Sequence, residues 1–215
     1  MSKSLFISLI LAITIIVSIV GVTLYQYGRV DRSDLDNLSA TVFRIPRTIS
    51  AFELTDHNGK TFTQDSLKDN WSFLFFGYTN CPDVCPNTLS TMNLMATTLE
   101  KNQPDRVVPR FIMVSVDPDR DTVEILSKYI PYFNNSFIGL TGNSSQQIDA
   151  ITKQFGIPYF ISKKSPDDTR YEVQHSGAIL LVNPQGNLHA LFSAPHEPTK
   201  LINEFSLIRY IHEQE

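Results

Sequence analysis

Trp71–Tyr78 leaves this chain few ways to fold. The segment reads Trp-Ser-Phe-Leu-Phe-Phe-Gly-Tyr, nearly continuous aromatic and aliphatic side chains. A strand with one wet face alternates apolar and polar residues, whereas an unbroken run suits a strand covered on both faces. Residues 85–100 follow with Leu89, Met92, Ala96 and Leu99 at helical spacing, and Arg110–Val116 is the next apolar strand. Strand, helix and strand in that order predict a parallel βαβ unit, which is almost always right-handed.

The flanking segments extend this core. Ala51–Leu54 and Thr61–Thr63 straddle Asn58-Gly59, a hairpin turn signal. Asp121-Thr122-Val123-Glu124 resembles a capping box opening a helix with Leu126, Tyr129, Ile130 and Phe133 inward. Ser145–Phe155 reads as a second helix with Ile148, Ile151 and Phe155 buried, stopped by Gly156. Gly177–Val182 and Leu188–Phe192 form a hairpin, and Pro198 opens a last helix carrying Leu201, Phe205 and Ile208. The expected fold class is α/β, a thioredoxin-like sheet with extra elements, over residues 47–215.

Ahead of it stands a different kind of segment. Leu5–Leu24 holds 15 apolar residues, four Ser/Thr, one Gly and no charge. Twenty helical residues span about 30 Å, the hydrocarbon thickness of a bilayer. Residues 1–27 are therefore expected to be an N-terminal transmembrane helix, with Tyr25 and Tyr27 at the far interface. A cleaved signal peptide is the rival reading, but its apolar region would be shorter and followed by small residues at a cleavage site. Lys3 before the span weakly favours the amino terminus inside. No Arg-rich, Ser-rich presequence is present, so the expected location is a bacterial inner membrane, single-pass, with the domain in the periplasm. Residues 28–46 are polar without clear period and read as a tether. No second uncharged run is comparably apolar, which excludes a multi-span protein, and 11% aromatic content excludes a disordered chain. The formal net charge is −4 and no basic stripe is seen, so nucleic acid is not an expected partner.

The chain has two cysteines, both in Cys81-Pro82-Asp83-Val84-Cys85-Pro86. Two are too few for a disulfide scaffold. They lie where a buried strand ends and a helix begins, the place where open α/β sheets carry their sites. Helix-start N–H groups are expected to favour a thiolate there. If that turn is helical, the four-residue offset puts both sulfurs on one face, so the pair can close a disulfide or clamp one soft metal ion. A structural zinc site would usually want four protein ligands. Two thiolates with one imidazole suit Cu(I) and can hold Cu(II). The spacing itself does not separate metal binding from thiol exchange.

Five histidines could supply the imidazole. His57 lies in the Asn-Gly turn, His189 within the last hairpin, His212 in the final turn, and His196 before the final helix, where it could cap it. His175 precedes an apolar strand after the long polar segment Ser162–Gln174, the kind of loop on which function concentrates. Lys163-Lys164 and Asp167-Asp168 mark that loop as solvated, and it is expected to move His175 toward the cysteines. Met92 and Met95 are expected to fill the core.

These residues resemble the Sco/SenC family, thioredoxin-fold copper proteins that assist cytochrome c oxidase assembly. The resemblance spans about residues 47–210. It rests on Phe76-Gly77-Tyr78-Thr79 running into the cysteine motif and on Val114-Ser115-Val116-Asp117-Pro118-Asp119-Arg120-Asp121-Thr122. Gly139-Leu140-Thr141-Gly142 and His175-Ser176 continue it. It implies that Cys81, Cys85 and His175 bind copper, as Cu(I), Cu(II) or both, one per domain. It also implies delivery of copper to the copper A centre of oxidase subunit II, or reduction of that centre's cysteines. A copper donor chaperone and thiol oxidoreductases are the further partners it implies. Asp117 and Asp121 fall in the family's acidic motif, and Asp117 either flanks the site or caps the next helix. Asn80 stands where the family often has His, and Gln174 where Asp is usual before His175. The alternative function is a thiol-disulfide oxidoreductase using Cys81 and Cys85 without metal. A peroxidase is a weaker option, since no peroxide-binding threonine or arginine is marked.

Overall fold

The central strand forms where the apolar run requires it. In the computed structural model, which describes residues 3–27, 32–163, 165 and 171–214, Ser72–Gly77 is a strand buried along its whole length. In chain order the elements are α1 (Lys3–Tyr27), a 3-10 turn (Arg32–Asn37), β1 (Thr41–Thr48), β2 (Glu53–Asp56), β3 (Thr61–Thr63) and β4 (Ser72–Gly77). Then come α2 (Val84–Asn102), β5 (Arg110–Ser115), α3 (Val123–Phe133), β6 (Ile138–Thr141) and α4 (Ser145–Phe155). The chain closes with β7 (Tyr159–Ile161), β8 (Val173–His175), β9 (Ile179–Val182), β10 (Asn187–Phe192) and α5 (Pro198–His212).

Eight strands form one mixed sheet in the order β1-β10-β9-β4-β5-β6-β2-β3, and β7 and β8 form a separate pair. The predicted βαβ unit is present: β4 and β5 pair in parallel from Ser72 opposite Arg110 to Gly77 opposite Ser115. β9 flanks β4 antiparallel on its other side. Stacked and edge-on rings fill the space over β4, with Phe73 5.2 Å from Phe111 and 5.0 Å from Phe205 between centroids. Such ring pairs contribute about 0.5–1.5 kcal/mol beyond the area they bury. Met92 and Met95 are fully buried within this core, as expected. The mixed α/β, thioredoxin-like class is thus the observed one, and both predicted hairpins form, with Gly59 at φ +78° in the first turn.

Three differences stand out. The tether expected over residues 28–46 ends sooner, because Thr41–Thr48 pairs with β10 as an edge strand. Its pattern shows no fully buried residue on either face, so it carries no apolar alternation to detect. β6, β7 and β8 were not expected; each has only three or four residues. The capping box at α3 is displaced by one: Thr122, not Asp121, caps the helix by accepting from the Ile125 N–H at 3.3 Å. Asp121 is instead fully buried and bonded elsewhere.

The amino-terminal run forms α1, in which side chains are described at residues 7 and 10–22. Among the described residues no helix is long and apolar enough to cross a membrane. The chain divides into two compact units, one made of the residues up to Asn37 with those from Ile208 onward, the other Leu38–Leu207, which holds the sheet.

Candidate metal centre

β4 delivers the backbone to the site and α2 carries it away. Beyond Gly77 the chain turns, the Cys81 N–H donating to the Tyr78 carbonyl at 3.3 Å. Pro86 falls in the first turn of α2, where a missing N–H costs nothing. Cys81 lies in the non-helical turn before α2 and stays partly exposed, while Cys85, in the first turn of the helix, is fully buried against β4. The Cys85 N–H points at Cys81 Sγ at 3.4 Å, and the Tyr78 N–H at Cys85 Sγ at 3.5 Å. Both cysteines are free thiols.

β4 can approach α2 this closely only because residue 77 has no side chain. A Cβ on Gly77 would lie 2.9 Å from Cys85 Sγ and 2.6 Å from Phe75 Cε1. Ordinary contacts begin near 3.4 Å.

His175 closes the set from the end of β8. Its Nε2 lies 3.3 Å from Cys85 Sγ, and the ligand atoms of Cys81, Cys85 and His175 all lie within 4.8 Å of one another. Nδ1 faces the Ser176 carbonyl at 3.0 Å, and the tautomer with its proton there leaves the Nε2 lone pair toward the sulfurs. Phe75 and Tyr78 meet the imidazole edge to face, at 5.8 and 5.7 Å between centroids. His175 therefore already stands beside the cysteines without the loop movement anticipated above. Lys164, Asp167 and Asp168 of that loop lie outside the described residues, while Lys163 bonds Asp119.

Burial controls the protonation of the site. It lowers the His175 imidazole from its ordinary value, which keeps it neutral and ready to ligate near pH 7. It raises the Cys85 thiol well above its ordinary value, against the expectation that the helix start would lower it. Desolvation of a fully buried sulfur outweighs the partial positive charge of the first helical turn.

The two acidic residues serve different loops. Asp121 Oδ2 accepts from the Thr79 N–H at 2.9 Å and from the Ser115 hydroxyl at 2.6 Å, and Oδ1 accepts from the Thr79 hydroxyl at 2.6 Å. It ties the turn that leads to Cys81 to the end of β5. Asp117 does not cap α3; its carboxylate receives the Tyr171 hydroxyl and the Arg120 guanidinium. Neither Tyr78, which packs on the imidazole, nor Tyr171 was singled out from sequence. Tyr78 could have been, since it is the last ring of the apolar strand on the face opposite Gly77.

The other histidines are placed elsewhere. His57 Nδ1 accepts the Gly139 N–H at 3.2 Å, His189 packs edge-on against Trp71 at 5.4 Å, and His196 Nε2 lies 2.6 Å from the Gly177 carbonyl. His212 sits in the last turn of α5. The donor set that remains, two thiols and one neutral imidazole with Cys81 open to solvent, could hold a metal ion, and its softness fits copper.

The SCO1/SenC family profile matches residues 44–208. The SCO2-like protein of Rickettsia felis is 38% identical over 151 residues, 70% of this chain and 72% of that protein. The copper-bound ScoI of Arabidopsis thaliana superposes with a TM-score of 0.67 at 29% identity, over 76% of this chain and 98% of the other. The copper-bound ScoI of Bradyrhizobium japonicum gives a TM-score of 0.64 at 30% identity, over 75% and 98%.

Proposed function

The chain belongs to the SCO1/SenC family, and from that premise we propose that it is a membrane-anchored copper chaperone for cytochrome c oxidase. Cys81, Cys85 and His175 hold one copper ion as cargo, received from a donor chaperone and passed to the copper A centre of oxidase subunit II. Leu5–Leu24 anchors the protein in a bacterial inner membrane and keeps the site in the periplasm, on the side where a membrane-bound oxidase displays that centre. The observation that carries the reading is the convergence of three soft ligand atoms, from two distant segments, within 4.8 Å. Both structures superposed above are proteins with copper bound.

A second reading uses the same thiols without metal. One exposed and one buried cysteine, with the Cys85 N–H on Cys81 Sγ, is a geometry that also serves thiol-disulfide exchange. In that role Cys81 and Cys85 give two electrons and two protons to a client disulfide and become a disulfide themselves. A disulfide cannot ligate copper, so the two roles would exclude each other at any moment.

The test loads the detergent-solubilised full chain with Cu(I) or Cu(II) and measures stoichiometry. One copper per chain is expected, lost in a Cys81→Ser, Cys85→Ser double variant. Retention of about one copper in that variant would refute the proposal. Disulfide exchange that proceeds normally in metal-free His175→Ala would favour the second reading, since His175 serves only the metal.

A further inference from the structure

His175 sits at the end of a short strand outside the main sheet. β8 has three residues and, among the described residues, pairs only with the three of β7, apart from the eight-stranded sheet. A two-stranded ribbon of that size is marginally stable by itself. The imidazole nonetheless lies 3.3 Å from Cys85 Sγ. Contacts outside the ribbon share in fixing it: the Val173 backbone hydrogen-bonds Tyr78, and the Phe76 backbone hydrogen-bonds the imidazole.

The structure offers a cluster on the turn that follows β5. Arg120 is at its centre. Its Nε donates to Asp117 Oδ2, and its Nη1 donates to the Tyr171 carbonyl at 3.0 Å. The Tyr171 hydroxyl donates to Asp117 Oδ1 at 2.5 Å, and the guanidinium carbon lies 3.6 Å from the centroid of the Tyr171 ring. Asp117 and Tyr171 are buried. The same guanidinium lies 5.7 Å from the Tyr78 ring, and Tyr78 in turn packs edge-on against His175. Tyr171 is four residues before His175, at the entrance to β8. The cluster thus grips both the strand that carries the imidazole and the ring that leans on it.

We infer that Arg120, Asp117 and Tyr171 are positioning residues for His175, holding β8 and Tyr78 so that Nε2 stays at the cysteine pair. The consequence for copper rests on the function proposed above; the positioning itself needs no metal. Charge-assisted bonds with fixed geometry suit the task, because Arg120 presents a rigid fork and a flat face to different partners at once. Arg120→Gln removes the cation and the stack. Tyr171→Phe removes a single hydroxyl and keeps the ring. Arg120→Lys keeps a cation between the rings without the fork.

The experiment uses the full chain in detergent, first metal-free. Nitrogen-15 spectra of the His175 imidazole and amide exchange of Val173–His175 are compared among wild type and the three variants. In Arg120→Gln the imidazole signal is expected to move toward that of a solvated ring, with residues 173–175 exchanging about tenfold faster while β4 and β5 stay protected. Tyr171→Phe is expected to shift both in the same direction by less, and Arg120→Lys to restore part of the loss. If Arg120→Gln does not fold, Tyr171→Phe carries the test. With copper added, Kd is expected to rise about tenfold in Arg120→Gln, the scale seen when groups that orient a ligand are removed. Unchanged imidazole signals and exchange in both variants would overturn the inference. Exchange rising equally across β4 and β5 would also overturn it, since the cluster would then merely support the fold. Failure of the wild type to bind copper would remove the cargo reading and leave the metal-free comparison to decide the positioning.

Discussion

Gly77→Ala is a small change that the structure makes consequential. The new Cβ would stand about 0.5 Å too close to Cys85 Sγ and about 0.8 Å too close to Phe75 Cε1, measured against the 3.4 Å at which ordinary contacts begin. Neither neighbour can yield freely. Phe75 is fully buried and packs against His175, and the Cys85 sulfur is fully buried under the first turn of α2. Overpacking of a filled core costs about 1–3 kcal/mol. For a domain of this size that is a fall in Tm of about 2–12 °C. The displaced sulfur is a ligand and the displaced ring packs on the ligating imidazole, so metal binding should suffer as well, by at least about tenfold in Kd. Thermal unfolding of the metal-free chain and a competition titration with Cu(I) read the two effects separately. A variant with wild-type Tm and wild-type affinity would show that β4 and α2 do not approach as described, and the packing argument would fall.

Three further outcomes follow from buried groups. Burial holds a proton on Cys85 that metal must displace, so Cu(I) affinity should rise about tenfold per pH unit for each proton released through the neutral range; affinity that stays flat from pH 6 to pH 8 would contradict this. Burial also raises the Asp121 carboxyl above its ordinary 3.8. The unfolded chain then loses its proton before the folded one does, so this group's contribution to stability falls as pH rises from the ordinary value to the raised one. Urea unfolding of Asp121→Asn beside wild type should therefore show the gap moving in the variant's favour between pH 4 and pH 7, and movement the other way would refute it. Glu204, buried on α5, accepts the Ser39 N–H at 2.8 Å, the Ser39 hydroxyl at 2.7 Å and the Ala40 N–H at 3.2 Å. Glu204→Ala should destabilise by about 1–3 kcal/mol through the donors it strands, with faster amide exchange at 39 and 40 as the local signature.

The parts legible in the sequence were those that local chemistry decides. Trp71–Tyr78 could only be a two-sided buried strand, and the stripe Leu89, Met92, Ala96, Leu99 could only be one face of a helix; both hold, with all four stripe residues buried. The cysteine pair announced itself by its place between them. What the sequence hid was decided at long range. β1 has exposed or half-exposed residues on both faces, so no periodicity marks it. Asp121 has the right spacing for a cap, yet Thr79, 42 residues earlier, and Ser115 draw it inward and leave Thr122 to cap. His175 stood out for its loop and its resemblance, but nothing nearby in sequence told that Tyr171 and Arg120 would meet beside it, 51 residues apart. The departures at Asn80 and Gln174 take neither thiol nor the imidazole from the set. Gln174 points outward in β8, with Val173 buried beside it.

The charge of the proposed complex gives the site its character. Two thiolates with Cu(I) leave one net negative charge, whereas Cu(II) leaves none. Soft sulfur donors favour the first state, and burial of Cys85, with His175 half-buried, favours the neutral second. The two preferences oppose each other, so the ligand set need not commit strongly to either state. The open flank is at Cys81, the partly exposed one of the two thiols, and a three-donor set leaves room there for a client thiolate to enter. A buried cysteine that anchors, a neutral imidazole held by its own clamp and one reachable sulfur are what handing on a copper ion requires, because exchange can begin at Cys81 while the other two donors still hold.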